Sequence, residues 1–260
     1  MAEIAPLLLL GVFSGFIAGL LGVGGGLIIV PALLYLLSGS VEQIVLMHTA
    51  VATALAVIVF TSISSVRAHH SRGAIHWHNF KKLTPTILLG AFSGALLTKV
   101  MSFDFMRIFF ALFEFSVATI MYFGISSSAH VDNLGKWVWR FTGYIIGLVS
   151  AIVGIGGGTM TTPFLTYNNV DIKNAIATSA AVGMPIAIAG ALGFIVAGWN
   201  AQGVSGGLGF IHIEAFTSVV LMSVLFAPLG AKVAHQVNGK KLKKFFAIFL
   251  AILGVSVLSF

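Results

Sequence analysis

Two glycine clusters set inside apolar sequence constrain this chain more than any other feature. Gly22-Val23-Gly24-Gly25-Gly26 and Gly154-Ile155-Gly156-Gly157-Gly158 each follow a long apolar run. Each stands the same distance ahead of a proline, Pro31 and Pro163. Hydrocarbon cannot satisfy the backbone groups that a glycine run frees. Such a run survives only where protein or a water-filled cavity surrounds it. Matching interruptions in two halves of one membrane protein mark a transport site.

Composition fixes the class. Of 260 residues, 58% are hydrophobic and 8% are charged, against roughly 25% charged in a soluble domain. This describes a polytopic membrane protein with too little polar sequence for a separate soluble domain. The chain has no cysteine, so disulfides and thiol chemistry are excluded. Met1-Ala2-Glu3-Ile4 lacks the basic region of a signal peptide, and the first apolar run is expected to stay as a membrane helix. The net charge of +7 resides in short loops, where orientation and anionic lipid explain it better than nucleic acid does.

Hydropathy predicts an all-α polytopic fold with eight long helices at about 4–21, 44–66, 83–100, 106–124, 138–153, 174–198, 212–231 and 243–259. Each approaches the roughly 20 residues of a span. Short runs at about 27–37 and 159–167 follow the glycine clusters. About ten residues reach only half way across as a helix.

An internal repeat joins the halves. Gly73-Ala74-Ile75-His76 matches Gly209-Phe210-Ile211-His212, Gly94-Ala95 matches Gly230-Ala231, and Phe109–Phe113 matches Phe245–Phe249, all at a shift of 136. Gly22 to Pro31 matches Gly154 to Pro163 at 132, and Ala50–Thr53 matches Ala175–Thr178 at 125. The shift changes only in loops, where insertions belong. The expected organisation is a first repeat over 1–130 and a second over 131–260, together forming one transmembrane domain.

Loop charges discriminate between two topologies. If each short run continues across the membrane, Arg67, Arg72, Lys81, Lys82, Lys136 and Arg140 face the other eight Lys and Arg residues. If each short run turns back, the division is twelve to two, with only Lys99 and Arg107 on the minor side. The positive-inside rule favours the second arrangement. The halves are then inverted, and both termini lie outside the cytoplasm.

A helix that starts right after a glycine break directs unpaired N–H groups and its positive dipole end into the gap. That geometry suits an oxyanion. The candidate binding residues are Gly24, Gly25, Gly26, Gly156, Gly157 and Gly158, with Thr159 beside the second break. Close helix packing through small residues is the structural alternative. Neither cluster is a nucleotide fingerprint, and no cofactor is expected. Hydroxyls on the following helices add Thr49, Thr53, Thr178 and Ser179. Thr49 and Thr53, four apart, share one face. Hydroxyls can donate to an oxyanion's oxygens without burying a fixed charge; back-bonding to a carbonyl is the structural alternative.

Gly-x-Gly-Gly-Gly followed by proline, then Ala-x-x-Thr on the next helix, occurs twice. This pattern resembles the sulfite exporter TauE/SafE family of bacterial membrane proteins over nearly the whole chain. The resemblance implies transport of small anions, mainly sulfite and organosulfonates, across the bacterial inner membrane, and no enzymatic chemistry. Many members read Thr-Ser on that helix. Here Thr178-Ser179 keeps the pair while the first half has Thr53-Ala54, which removes one donor and leaves the substrate open.

Three other features need weighing. Glu114 sits mid-helix where its repeat counterpart is Leu250. An ionisable group at that depth is a candidate for proton coupling, against a structural carboxyl. His69, His70, His76 and His78 cluster within ten residues. A metal site there is weighed against a cytoplasmic interface anchor built with Trp77, and the anchor is favoured. Gly203-Val204-Ser205-Gly206 has the Gly-x-Ser-Gly form of intramembrane serine proteases, but it lies in a glycine-rich connection that reads as a loop. The expectation is an alternating-access anion carrier in contact with lipid, with a passive anion channel as the alternative. Direction, coupling ion and oligomeric state are not encoded legibly.

Overall fold

The computed structural model describes residues 4–21, 24–124, 134–201, 204, 206–234 and 239–260. Gly22, Val23, Gly203, Ser205 and the 130/131 repeat boundary lie outside the described residues. Among the described residues ten helices occur in order: α1 (Ile4–Leu21), α2 (Gly26–Leu36), α3 (Gln43–His70), α4 (Trp77–Thr98), α5 (Phe103–Phe123), α6 (Lys136–Val153), α7 (Gly158–Tyr167), α8 (Ile172–Ala197), α9 (Ile213–Ala234) and α10 (Gly239–Leu258). The two short helices follow the glycine clusters, as hydropathy predicts.

By length and apolarity, Gln43–His70, Phe103–Phe123, Ile172–Ala197 and Ile213–Gly230 each suffice to cross a membrane. Hydropathy starts α4 at 83, yet the helix begins at Trp77. The apolar signal marks where lipid begins, whereas the helix continues through polar Asn79, Lys81 and Lys82. Local caps explain other ends. Ser102 accepts the Phe105 N–H at 3.2 Å to start α5, and Asp171 accepts the Lys173 N–H at 3.0 Å to start α8.

The glycine-rich connection before α9 holds a feature that hydropathy does not reveal. Gly207–Leu208 (β1) pairs antiparallel with Ile211–His212 (β2), with Gly207 opposite His212 and Leu208 opposite Ile211. Two residues link the strands, and two strand residues a side give no alternation pattern to detect.

Helices α3 and α8 pack together at the centre and are buried over most of their length, while α5 and α9 bury a single face. Around them α1 packs on α9, α4 on α6 and on α8, and α5 on α10. The α1–α9 and α4–α6 contacts are backbone-close because small residues line them. A Cβ at Gly11 would come within 2.6 Å of the Val219 carbonyl oxygen, and one at Gly94 within 2.6 Å of that of Leu148. Gly15 likewise abuts Ser223, and Gly147 abuts Ile87. In both pairs the contacts advance in the same direction along the two helices, so the partners run parallel.

Ring contacts show where the short helices end. Phe164 on α7 packs edge-on against Trp139 in the first turns of α6, with ring centroids 5.0 Å apart. Tyr35 on α2 packs against Phe260, donates its hydroxyl to the Ser256 carbonyl, and so meets the end of α10.

Candidate functional site

The two breaks are left-handed backbone turns. Gly24 and Gly25 have φ of 83° and 78°, and Gly154 and Gly157 have φ of 80° and 72°. An L side chain is unfavourable there by roughly 1–2 kcal/mol per residue, which is why both sequences need glycine. The Gly154 N–H closes α6 onto the Ser150 carbonyl at 2.9 Å. Gly25 and Gly157 then open α2 and α7, accepting from Ile29 and Thr161 at 3.0 and 2.9 Å. The N–H groups of Gly26, Leu27, Gly158 and Thr159 precede those first bonds and are the ones a helix leaves without intrahelical partners. Pro31 and Pro163 sit in the second turn, where each removes the N–H that would pair with the carbonyl four residues back.

The breaks touch each other. A Cβ on Gly24 would lie 3.5 Å from Gly156 Cα, and one on Gly26 would overlap the Gly154 carbonyl oxygen. A Cβ on Gly183 of α8 would overlap Gly156 in turn. Gly25, Gly26, Gly156 and Gly157 are buried, while Gly24 and Gly158 are partly exposed. Two interrupted helices therefore meet backbone to backbone between α3 and α8.

The candidate hydroxyls divide by engagement. The Thr49 hydroxyl donates to the Val45 carbonyl at 2.9 Å. Thr53 and Thr178 do something else: the Thr53 Oγ accepts the His212 backbone N–H at 3.0 Å, and the Thr178 Oγ accepts the His76 backbone N–H at 2.9 Å. Ser179 Oγ lies 2.9 Å from the Ile176 carbonyl and 2.7 Å from Thr162 Oγ. Among the described residues, the buried Thr159 Oγ has no hydrogen-bond partner. Glu114 on α5 is completely buried, and neither carboxylate oxygen has a partner among the described residues. Leu250, its repeat counterpart, is equally buried.

The histidines take separate roles. His76 and His78 are exposed, and His70 packs edge-on against Trp77. Among the described residues no three His, Asp or Glu side chains gather around a common point. His212 Nδ1 accepts the Ala215 N–H at 3.2 Å and caps α9. Burial holds its imidazole below the usual histidine value, with Glu214 acting in the opposite sense. His48 is buried, with Nε2 2.9 Å from the Thr98 carbonyl and its ring 5.0 Å from that of Phe210. The Gly-x-Ile-His match marks His212, like His76, as a helix start, and both stand immediately before one, α9 and α4; the role of His48 is not assigned from sequence. A cavity of about 340 Å³ at the ends of α4 and α8 is lined by Lys99, Trp199, Asn200 and Phe210, among others.

Relatives place this geometry in context. The sulfite exporter TauE/SafE family profile matches residues 7–257. A "Probable membrane transporter protein" of Haemophilus influenzae is 37% identical over 253 residues, covering 96% of each chain. Proteins with the same kind of name from Methanocaldococcus jannaschii (25% identical, 97% of this chain and 94% of that one) and Bacillus subtilis (28%, 99% and 100%) align over nearly their full lengths. No solved structure matches the chain. With a family profile spanning almost all of its length and a full-length relative at 37% identity, whose name is "Probable membrane transporter protein", the chain belongs to the sulfite exporter TauE/SafE family.

Proposed function

We propose that the chain is a secondary transporter of small oxyanions, sulfite or short organosulfonates, working by alternating access at the junction of its two broken helices. The observation that carries this reading is the contact between the breaks, Gly24 on Gly156 and Gly26 on Gly154. Helix starts with unpaired N–H groups meet there inside apolar protein, and no fixed cation is needed to attract an anion. Touching breaks must separate for a passenger to cross. A carrier does this once per cycle, which favours it over an open channel.

An inverted arrangement of the repeats has three supports. Contacts recur between equivalent helices: α1 on α9 and α6 on α4 across the repeats, α2 on α3 and α7 on α8 within them. The Phe164–Trp139 contact supports a return of α7 toward the start of α6. The loop charges support a cytoplasmic majority side, with Lys99 and Arg107 opposite and both termini non-cytoplasmic. In this orientation the cavity at Lys99 is a vestibule on the non-cytoplasmic face of a bacterial inner membrane.

The moving bodies are not the sequence halves. The backbone-close pairs join α1 to α9 and α6 to α4, across the repeats. Rocking one half on the other would tear both apart. The natural bodies are α1–α3 with α9, and α6–α8 with α4, and the breaks meet at the seam between them.

Purified protein in proteoliposomes, offered sulfite, sulfoacetate, thiosulfate, sulfate and chloride, tests the reading. Protein-dependent, saturable sulfite or sulfonate flux is expected. Absence of flux for every oxyanion rejects the reading, and unitary conductance converts it to a channel.

A further inference from the structure

The two breaks share a left-handed glycine just before the short helix, Gly25 and Gly157, and differ in side-chain chemistry. The repeat alignment pairs Ala18 with Ser150, Leu27 with Thr159, Ile29 with Thr161, Val30 with Thr162 and Ala54 with Ser179. At each pair the first break has hydrocarbon and the second has a hydroxyl. The placement is equivalent as well. Ile29 Cδ1 lies 3.5 Å from where a Gly25 Cβ would sit, and Thr161 Oγ lies 3.6 Å from where a Gly157 Cβ would sit.

Three of these hydroxyls, those of Ser150, Thr159 and Thr161, are not absorbed by their helices. Serine and threonine in membrane helices ordinarily donate to a carbonyl three or four residues back, as Thr49, Thr84 and Thr119 do. The Oγ atoms of Ser150, Thr159 and Thr161 are buried with no hydrogen-bond partner among the described residues, and Ser150 and Thr161 are completely inaccessible. A valine or alanine would fill the same space without an unpaired polar atom. Three such orphans within a turn of one break call for a ligand that satisfies them.

We infer that the anion site is one-sided. Ser150, Thr159 and Thr161 donate their hydroxyls to the oxygens of the anion beside the start of α7, and α2 supplies an apolar wall through Leu27 and Ile29. This assignment rests on the transport reading and names its ligand class: a compact group with several acceptor oxygens on one side and no charge on the other. A sulfonate with a short alkyl tail fits that division, the oxygens toward α7 and the tail toward α2. A halide also accepts several hydrogen bonds, but it has neither separate oxygens nor a tail to lay against the apolar wall, so this division disfavours it. Thr162 and Ser179, bonded to each other, hold α7 against α8 beside the site.

The test uses the full chain in proteoliposomes with sulfite, sulfoacetate and chloride. Thr161→Val, Thr159→Val and Ser150→Ala are each expected to raise the half-saturating sulfite concentration about tenfold, the worth of one buried hydrogen bond to an anion. They should also lower selectivity for sulfite over chloride, a readout that a packing role would not move. Thr161→Ser is expected to restore both, and Thr119→Val, which removes an exposed hydroxyl already bonded to the Phe115 carbonyl, to change neither. Wild-type affinity and selectivity in all three hydroxyl-deleting variants overturn the assignment while leaving the transport reading intact. If wild-type protein moves no oxyanion, the transport reading falls and takes this assignment with it. A variant that fails to fold is replaced by the other two, which remove different hydroxyls of the same site.

Discussion

The Oγ of Thr53 accepts the backbone N–H of His212 at 3.0 Å, across 159 residues of sequence. Thr178 holds the His76 N–H in the same way at 2.9 Å, across 102 residues. Each bond fastens the entrance of one half's outer helix, α9 or α4, to the central helix of the other half. The repeated Ala-x-x-Thr pattern therefore has a structural use in both halves. The unpaired hydroxyls that could meet a ligand lie elsewhere, around the second break alone.

Thr53→Val should destabilise the protein by roughly 1–3 kcal/mol, because a buried N–H loses its acceptor while the side-chain volume is kept. Thr53→Ser should retain most of the stability. Melting temperatures in detergent, compared with those of Thr178→Val and Thr178→Ser, check this. If both valine variants melt with the wild type, these bonds are incidental.

The absence of native cysteine makes the proposed bodies directly measurable with paired spin labels. Leu9 on α1, Leu221 on α9, Leu89 on α4 and Phe141 on α6 are all well exposed. With and without sulfite, the Leu9–Leu221 and Leu89–Phe141 distances should stay constant. The Leu9–Leu89 distance, within one sequence half, should shift. A constant Leu9–Leu89 distance with a moving Leu9–Leu221 distance would show that the halves themselves rock.

Much of this was legible in the sequence, and what was missed has a common cause. Apolar run length found the helices, and the glycine clusters located both breaks, because hydrocarbon solvent and left-handed backbone impose requirements that composition displays directly. The partners of Thr53 and Thr178 were not legible, since bonds across more than a hundred residues leave no periodic trace. Ser150 and Thr161 look like ordinary helix hydroxyls until their neighbours are known. Only the repeat alignment, with Ala18 and Ile29 opposite them, carried a usable signal.

His212 should give the protein an acid-sensitive cap. Its Nδ1 accepts the Ala215 N–H only when that nitrogen is unprotonated, and burial holds the native pKa below the usual histidine value. The native state therefore binds fewer protons than the unfolded chain. The stability this provides is present above the ordinary histidine range near about 6.5. It is lost as pH falls from there toward the lowered native value. Melting temperature between pH 8 and 5 should fall more steeply for wild type than for His212→Asn, whose side-chain oxygen can cap without titrating. Parallel curves would remove His212 from the acid response.

Glu114 is the remaining group whose environment asks for a function. It is fully buried on α5, both oxygens lack partners among the described residues, and the equivalent position on α10 is Leu250. An unpaired buried carboxyl is destabilising, and leucine at the related site shows that a hydrocarbon suits such a position. If Glu114 carries the proton that drives anion movement, Glu114→Gln keeps the shape and abolishes the exchange. Its flux should then become indifferent to an imposed pH gradient, with anion half-saturation little changed. A variant that still responds to the gradient as the wild type does would reduce Glu114 to a packing residue, and the coupling proton would have to travel with the anion itself.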